Sequence, residues 1–181
     1  MRLKLLSPGE MSDDQRQTYD ESIASKRGRP PPPMMAWLNS PEMARHATRL
    51  GAVLRFDTVF PAELSEIAIL VTARHWTSHY EWYVHKRLAL QGGMDPKIIE
   101  AIRDRRTPEF DDPRSKMIYD VAKSLHEAHG LAKGLYDAAV KVLGERGLVE
   151  IIGLCGYYTL VSMTLNTFEF DLPEGEVSEL A

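Results

Sequence analysis

Along most of this chain apolar side chains return every third or fourth position, the period that gathers one face of an α-helix. The first instance, Tyr19, Ile23 and Ala24, follows Ser12-Asp13-Asp14-Gln15, which has the form of a capping-box helix start. Residues 27–33 should break the pattern, because the successive prolines Pro30, Pro31, Pro32 and Pro33 remove amide donors and favour an extended surface crossing, suited to lying on a neighbouring subunit. Ser40-Pro41-Glu42 then opens a helix carrying Met43, Ala47, Leu50 and Leu54 and reaching Phe56. Pro61 opens the next; residues 64–90 contain no Gly or Pro, and Gly92 and Gly93 close the run. Asp95-Pro96 starts a short helix with Ile98, Ile99 and Ile102, residues 103–113 read as a charged loop, and helical patterns occupy residues 115–127, 131–143 and 148–168.

No stretch alternates with a period of two between hairpin turn pairs, so the expected fold class is all-α. Residues 148–165 approach membrane-spanning length, but Glu150, Gly153, Gly156, Thr159, Ser162 and Thr164 interrupt them, which predicts a helix buried in protein and no membrane partner. The chain divides into an N-terminal helix with a proline-rich arm (residues 1–36), a main domain (37–173) and an acidic tail (174–181); from residue 171 onward, extended or disordered backbone is expected.

Length and composition narrow the function. At 181 residues, with 44% hydrophobic and 27% charged side chains, one well-buried domain is expected. Lys and Arg number 22 against 26 Asp and Glu, a net charge of -4, so the surface lacks the basic excess a nucleic-acid partner requires. Cys155 is the single cysteine, which excludes an intramolecular disulfide and any two-thiol redox cycle within the chain. The N-terminal residues show no signal-peptide pattern, so a cytoplasmic address is expected.

Candidate chemistry concentrates in residues 74–85, Arg-His-Trp-Thr-Ser-His-Tyr-Glu-Trp-Tyr-Val-His. Aromatic rings exclude water, and imidazole and carboxylate groups in such a setting shift one another's proton affinity; Trp and Tyr equally suit a subunit interface. On a helix Ser78, Glu81 and His85 fall within about 60° of one another, whereas Glu66 would lie about 120° from Ser78 and needs a bend or a second helix to join them. Ser78 followed by Glu81 also fits a capping box, which would place such a boundary there. His75 and His79 are one turn apart, a spacing open to metal ligation, but no third ligand is in register and no metal is expected. A further echo, Glu66-Ile67, Leu70 and Ser78 repeated as Glu150-Ile151, Leu154 and Ser162, is open to a duplicated hairpin or to shared composition.

The frame Glu66-x11-Ser78-x-x-Glu81-x3-His85 resembles the carboxymuconolactone decarboxylase and alkylhydroperoxidase D superfamily, whose redox members place cysteines where Ser78 and Glu81 stand here. Ala73-Arg74-His75-Trp76, Tyr80-Glu81-Trp82 and the segment Gly156-Tyr157-Tyr158-Thr159-Leu160-Val161-Ser162-Met163-Thr164-Leu165-Asn166 are similar to its decarboxylase-type branch, over residues 37–173. The resemblance implies an alkylhydroperoxidase D-like helical domain with a long central helix pair, assembled as a homotrimer or homohexamer. It also implies cofactor-free decarboxylation of a small carboxylated lactone or a related intermediate of aromatic-compound degradation. His85 would then donate the proton, Glu66 orient it or shuttle its proton, and Glu81 serve as a second acid/base group. Substrate contacts would fall to Ser78, Arg74, Trp82 and His75, with Arg74 facing a substrate carboxylate. The rivals are a peroxidase working through Cys155 and an outside thiol, a metal enzyme and a non-catalytic oligomer; without paired cysteines the first lacks its redox group.

Overall fold

A 3-10 turn at Pro8–Glu10 leads into eight α-helices among the described residues, 1–26 and 28–181, of the computed structural model. They are α1 (Asp13–Ala24), α2 (Pro32–Trp37), α3 (Pro41–Phe56), α4 (Ala62–His75), α5 (His79–Gln91), α6 (Pro96–Arg103), α7 (Pro113–Glu127) and α8 (Lys133–Thr167). The all-α expectation holds.

Most helix starts follow from local chemistry. Ser12 and Gln15 exchange the two hydrogen bonds of a capping box at α1, Asp95 accepts from the amide of Lys97 at α6, and Asp112 accepts from the amides of Arg114 and Ser115 at α7. Two boundaries depart from the sequence reading. Helix α7 begins at Pro113, which the loop reading had absorbed, because proline is compatible with a first helical turn once Asp112 caps it. The proline run expected to stay extended does so only to Pro31; Pro32 and Pro33 form the first turn of α2, where their missing amides have no helical partner to lose. Arg27, at the start of that expected crossing, lies outside the described residues.

Helix α4 lies at the centre. Its residues 64–74 are all buried, because α5, α7 and α8 pack around it, so its sequence carries no polar stripe. Helix α8 consists of two helical stretches that meet at Gly144 (φ 75°), a left-handed position that glycine adopts without a Cβ penalty. It is long and apolar enough to cross a membrane, yet more than half of its apolar window is buried against the rest of the chain.

Between α4 and α5 the chain breaks at Trp76, Thr77 (φ 46°) and Ser78. Helix α8 holds this break, as Asn166 Nδ2 donates to the Trp76 carbonyl (2.8 Å) and Trp76 Nε1 donates to Thr159 Oγ1 (3.2 Å). The acidic tail has no regular structure, but it is docked rather than disordered. Leu180 is buried, Glu179 accepts from Lys86 and from Trp82 Nε1, and Glu176 accepts from Tyr83 Oη.

Candidate active site

The break redirects α5 so that its inner face meets α4, which removes the angular mismatch that a continuous helix would impose on Glu66. His85 Nδ1 lies 2.5 Å from Glu66 Oε2, and His85 Nε2 lies 2.8 Å from Glu81 Oε1, one turn back on α5. All three are buried, at 4%, 3% and 5% exposure for His85, Glu66 and Glu81. With a carboxylate on each ring nitrogen, both positions act as donors and the ring is an imidazolium. Burial alone would push its pKa down; the charges of Glu66 and Glu81 and their hydrogen bonds overcome this and hold it up, from 6.5 to about 9.

Two groups that the sequence reading did not select complete the cluster. Arg55, in the last turn of α3, donates from Nη1 to Tyr158 Oη (3.1 Å) and stands 3.5 Å from Glu66 Oε1. Its 3.4 Å approach to His85 Nδ1 is a meeting of two donors and not a hydrogen bond, since that ring position already donates to Glu66. Tyr158 of α8 sets its ring edge-on to His85 at 5.0 Å, and burial pushes its phenol pKa up, so it remains a hydroxyl donor. Arg55 was hidden because a lone arginine in a last helical turn already has an ordinary explanation in the helix dipole. Tyr158 sat within the quoted segment 156–166 but carried no spacing signal.

The cluster forms one wall of a cavity of about 270 Å³. Arg55, Glu81, His85 and Tyr158 supply polar groups; Val84, Leu88 and Val161 supply apolar surface, and Pro30–Pro33 with Arg29 complete the lining. The proline arm thus covers the cavity of its own chain.

The remaining candidates lie elsewhere. Ser78 is fully buried at the N-terminus of α5, but among the described residues its hydroxyl has no partner and caps nothing, and Glu81 turns to His85 instead of completing a capping box. Arg74 donates to the carbonyls of Arg103 (2.6 Å) and Ala181 (3.1 Å) and to Thr77 Oγ1, a structural tie between the break and the tail. Trp82 is buried under Glu179, and His75 stacks on His126 (4.7 Å between ring centres); neither reaches the His85 cavity. His79 bonds Ser178, so the His75/His79 pair is not gathered around a common point.

The chain is similar in structure to an uncharacterized peroxidase-related protein from Ralstonia eutropha JMP134, described as an alkylhydroperoxidase AhpD core, with a TM-score of 0.77 and 16% identity over 96% of this chain and 92% of that one. It is also similar to an uncharacterized peroxidase-related protein from Silicibacter sp. TM1040, with a TM-score of 0.75 and 16% identity over 99% of this chain and 94% of that one. No family model and no curated protein matches the sequence. The fold is that of the alkylhydroperoxidase D core, and the chemistry has to be read from the side chains this chain puts on it.

Proposed function

We propose that the protein is a cofactor-free acid/base lyase that decarboxylates a small carboxylated lactone or a related unsaturated acid. The observation that carries this reading is the His85 imidazolium held between Glu66 and Glu81 in the wall of a cavity of about 270 Å³. Arg55 and Arg29 at the same cavity favour an anionic substrate, and its apolar surface suits a ring.

In the proposed step the bond between the ring carbon and the carboxylate breaks and carbon dioxide leaves. The electron pair passes through the double bond to the lactone carbonyl, giving a dienolate, and one proton then adds to carbon. Arg55 and the Tyr158 hydroxyl are the groups available to the dienolate oxygen. Both ring nitrogens of His85 are committed to carboxylates, so its Nε2 proton reaches the substrate carbon through Glu81, which lines the cavity; this leaves a neutral His85 still hydrogen-bonded to Glu66, and a proton from solvent restores the imidazolium after carbon dioxide leaves. Glu81 therefore moves from second acid/base candidate to terminal donor in this scheme.

Peroxide chemistry would have to use Cys155, which is buried and whose thiol burial pushes up to about 12, the opposite of an activated thiolate. The proposal also includes a cytoplasmic homotrimer or homohexamer. The test is a panel of carboxylated butenolides and muconic-type acids in heavy water, with carbon dioxide release and deuterium in the product as readouts. Turnover that falls by about 10²-fold or more in Glu81→Gln and His85→Asn supports the proposal. Release of no carbon dioxide across the panel, or turnover indifferent to both variants, contradicts it.

A further inference from the structure

A second cavity, of about 90 Å³, opens near the C-terminal end of α4, between that helix, the end of α6 and α7. Its charged lining is lopsided. Arg74 and His75 face it from α4, Arg105 from the turn after α6, and Lys123 and His126 from α7, against one carboxylate, Glu127, also on α7. The neighbouring charges outside the lining are Asp104 and His129. Asp104 is engaged by Arg103 and Arg106, and among the described residues neither Arg105 nor Lys123 has a carboxylate within ion-pair distance.

The cations act on one another. Arg105 donates to the Arg74 carbonyl (3.3 Å) and holds φ at 56°, a left-handed conformation uncommon for a non-glycine residue. The Arg74 guanidinium is pushed down by burial and by the Arg105 charge, and His75 is pushed down by burial, Arg105 and His129, with Glu127 opposing. His126 stacks on His75 with ring planes 20° apart, and burial together with His75 lowers it to about 4. The Thr72 hydroxyl donates to the Ala68 carbonyl and so accepts from His126 Nε2 (2.8 Å), which leaves His126 Nδ1 as the nitrogen able to take a proton. Arg74, Arg105 and Lys123 place like charge around a small concavity with apolar walls from Val71, Ile102 and Tyr119, and the lowered proton affinity of His75 and His126 beside them is relieved when an anion enters.

We propose that this cavity binds a small tetrahedral oxyanion, free or as the terminal group of a phosphomonoester, between Arg105, Lys123 and the His75–His126 pair. The volume of about 90 Å³ admits one four-oxygen anion. Donors that converge from α4, the turn after α6 and α7 suit an acceptor with oxygens in several directions better than a planar carboxylate. Bound anion favours the protonated histidines, so by linkage affinity rises as pH falls.

The experiment titrates the full-length protein with inorganic sulfate, which keeps its double charge across the pH range, and follows the His75 and His126 ring signals by NMR; inorganic phosphate and glycerol 3-phosphate form parallel arms. The expected result is saturable shifts of those two signals, binding that tightens as pH falls from about 7 to about 5, toward the lowered His126 value, and the His85 signals unmoved. Arg105→Ala/Lys123→Ala should weaken binding by about tenfold or more while far-UV circular dichroism stays native. Tighter binding of glycerol 3-phosphate than of inorganic phosphate assigns the site to phosphomonoesters, and the reverse order assigns it to the free anion. Absence of shifts at His75 and His126, or undiminished affinity in the double variant, overturns the proposal.

Discussion

His85 is a cation buried between two carboxylates, and its removal leaves Glu66 and Glu81 without the charge between them, with Arg55 beside Glu66 as partial compensation. Breaking one side of a buried ion cluster costs about 3–5 kcal/mol, so His85→Asn should lower the urea midpoint as much as a severe core truncation and far more than an ordinary point substitution. The sign of the pH dependence follows from the raised pKa. Stability contributed by His85 is fully present below 6.5 and is lost as pH rises through about 9, so the wild-type thermal midpoint should fall across that window and the fall should shrink in His85→Asn. At this scale Glu66, Glu81 and His85 were legible in sequence because the three fall into a fixed frame of residue types and spacings. Arg55 was not, because nothing local distinguishes an arginine that caps a helix dipole from one that reaches into a cluster; the distinction is made by Tyr158, 103 positions away.

Helix boundaries decide which side chains meet. The break at residues 76–78 lets Glu66 and His85 face each other, and it was legible only as an angular mismatch that demanded some bend. The capping box that would explain it is not formed. Ser78→Ala should therefore leave the unfolding free energy unchanged or raise it, since it removes a buried hydroxyl that has no partner among the described residues, where loss of a working cap would lower it by about 1 kcal/mol or more. Helices α3 and α8 touch at Gly51, where an added Cβ would overlap the end of the Tyr157 ring. Tyr157 is buried edge-on to both Trp37 and Tyr158, so it has little room to yield. Gly51→Ala should cost about 1–3 kcal/mol by chemical denaturation and disturb the Tyr158 side of the cavity. The repeat of Glu66 to Ser78 at Glu150 to Ser162 does not carry this geometry. Ser162 lies within α8 with no break beside it, and Glu150 accepts from the Val59 amide and from Arg146 rather than from a histidine. Shared composition of two buried helices is sufficient for that echo.

For the molecule as a whole, all-α architecture was readable because the apolar period runs through nearly every segment. The docked tail was not, since its partners Lys86, Trp82 and Tyr83 come from a distant helix and composition alone reads as solvated chain. Val149, Ile152 and Met163 are exposed apolar side chains on α8, and Leu50, Val53 and Phe56 on α3, which packs beside it. Such side chains fit the proposed self-association. Val149→Glu/Ile152→Glu should reduce the mass seen by light scattering to that of a single chain, and an unchanged mass would place any interface elsewhere. All of the proposed proton chemistry depends on the protonation state that the fold imposes on one buried ring. The direct measurement is ¹⁵N NMR of the His85 imidazole as a function of pH. The structure predicts two protonated ring nitrogens at neutral pH and loss of one proton only near pH 9, abolished in Glu66→Gln/Glu81→Gln; a His85 ring that is neutral at pH 7 would contradict it.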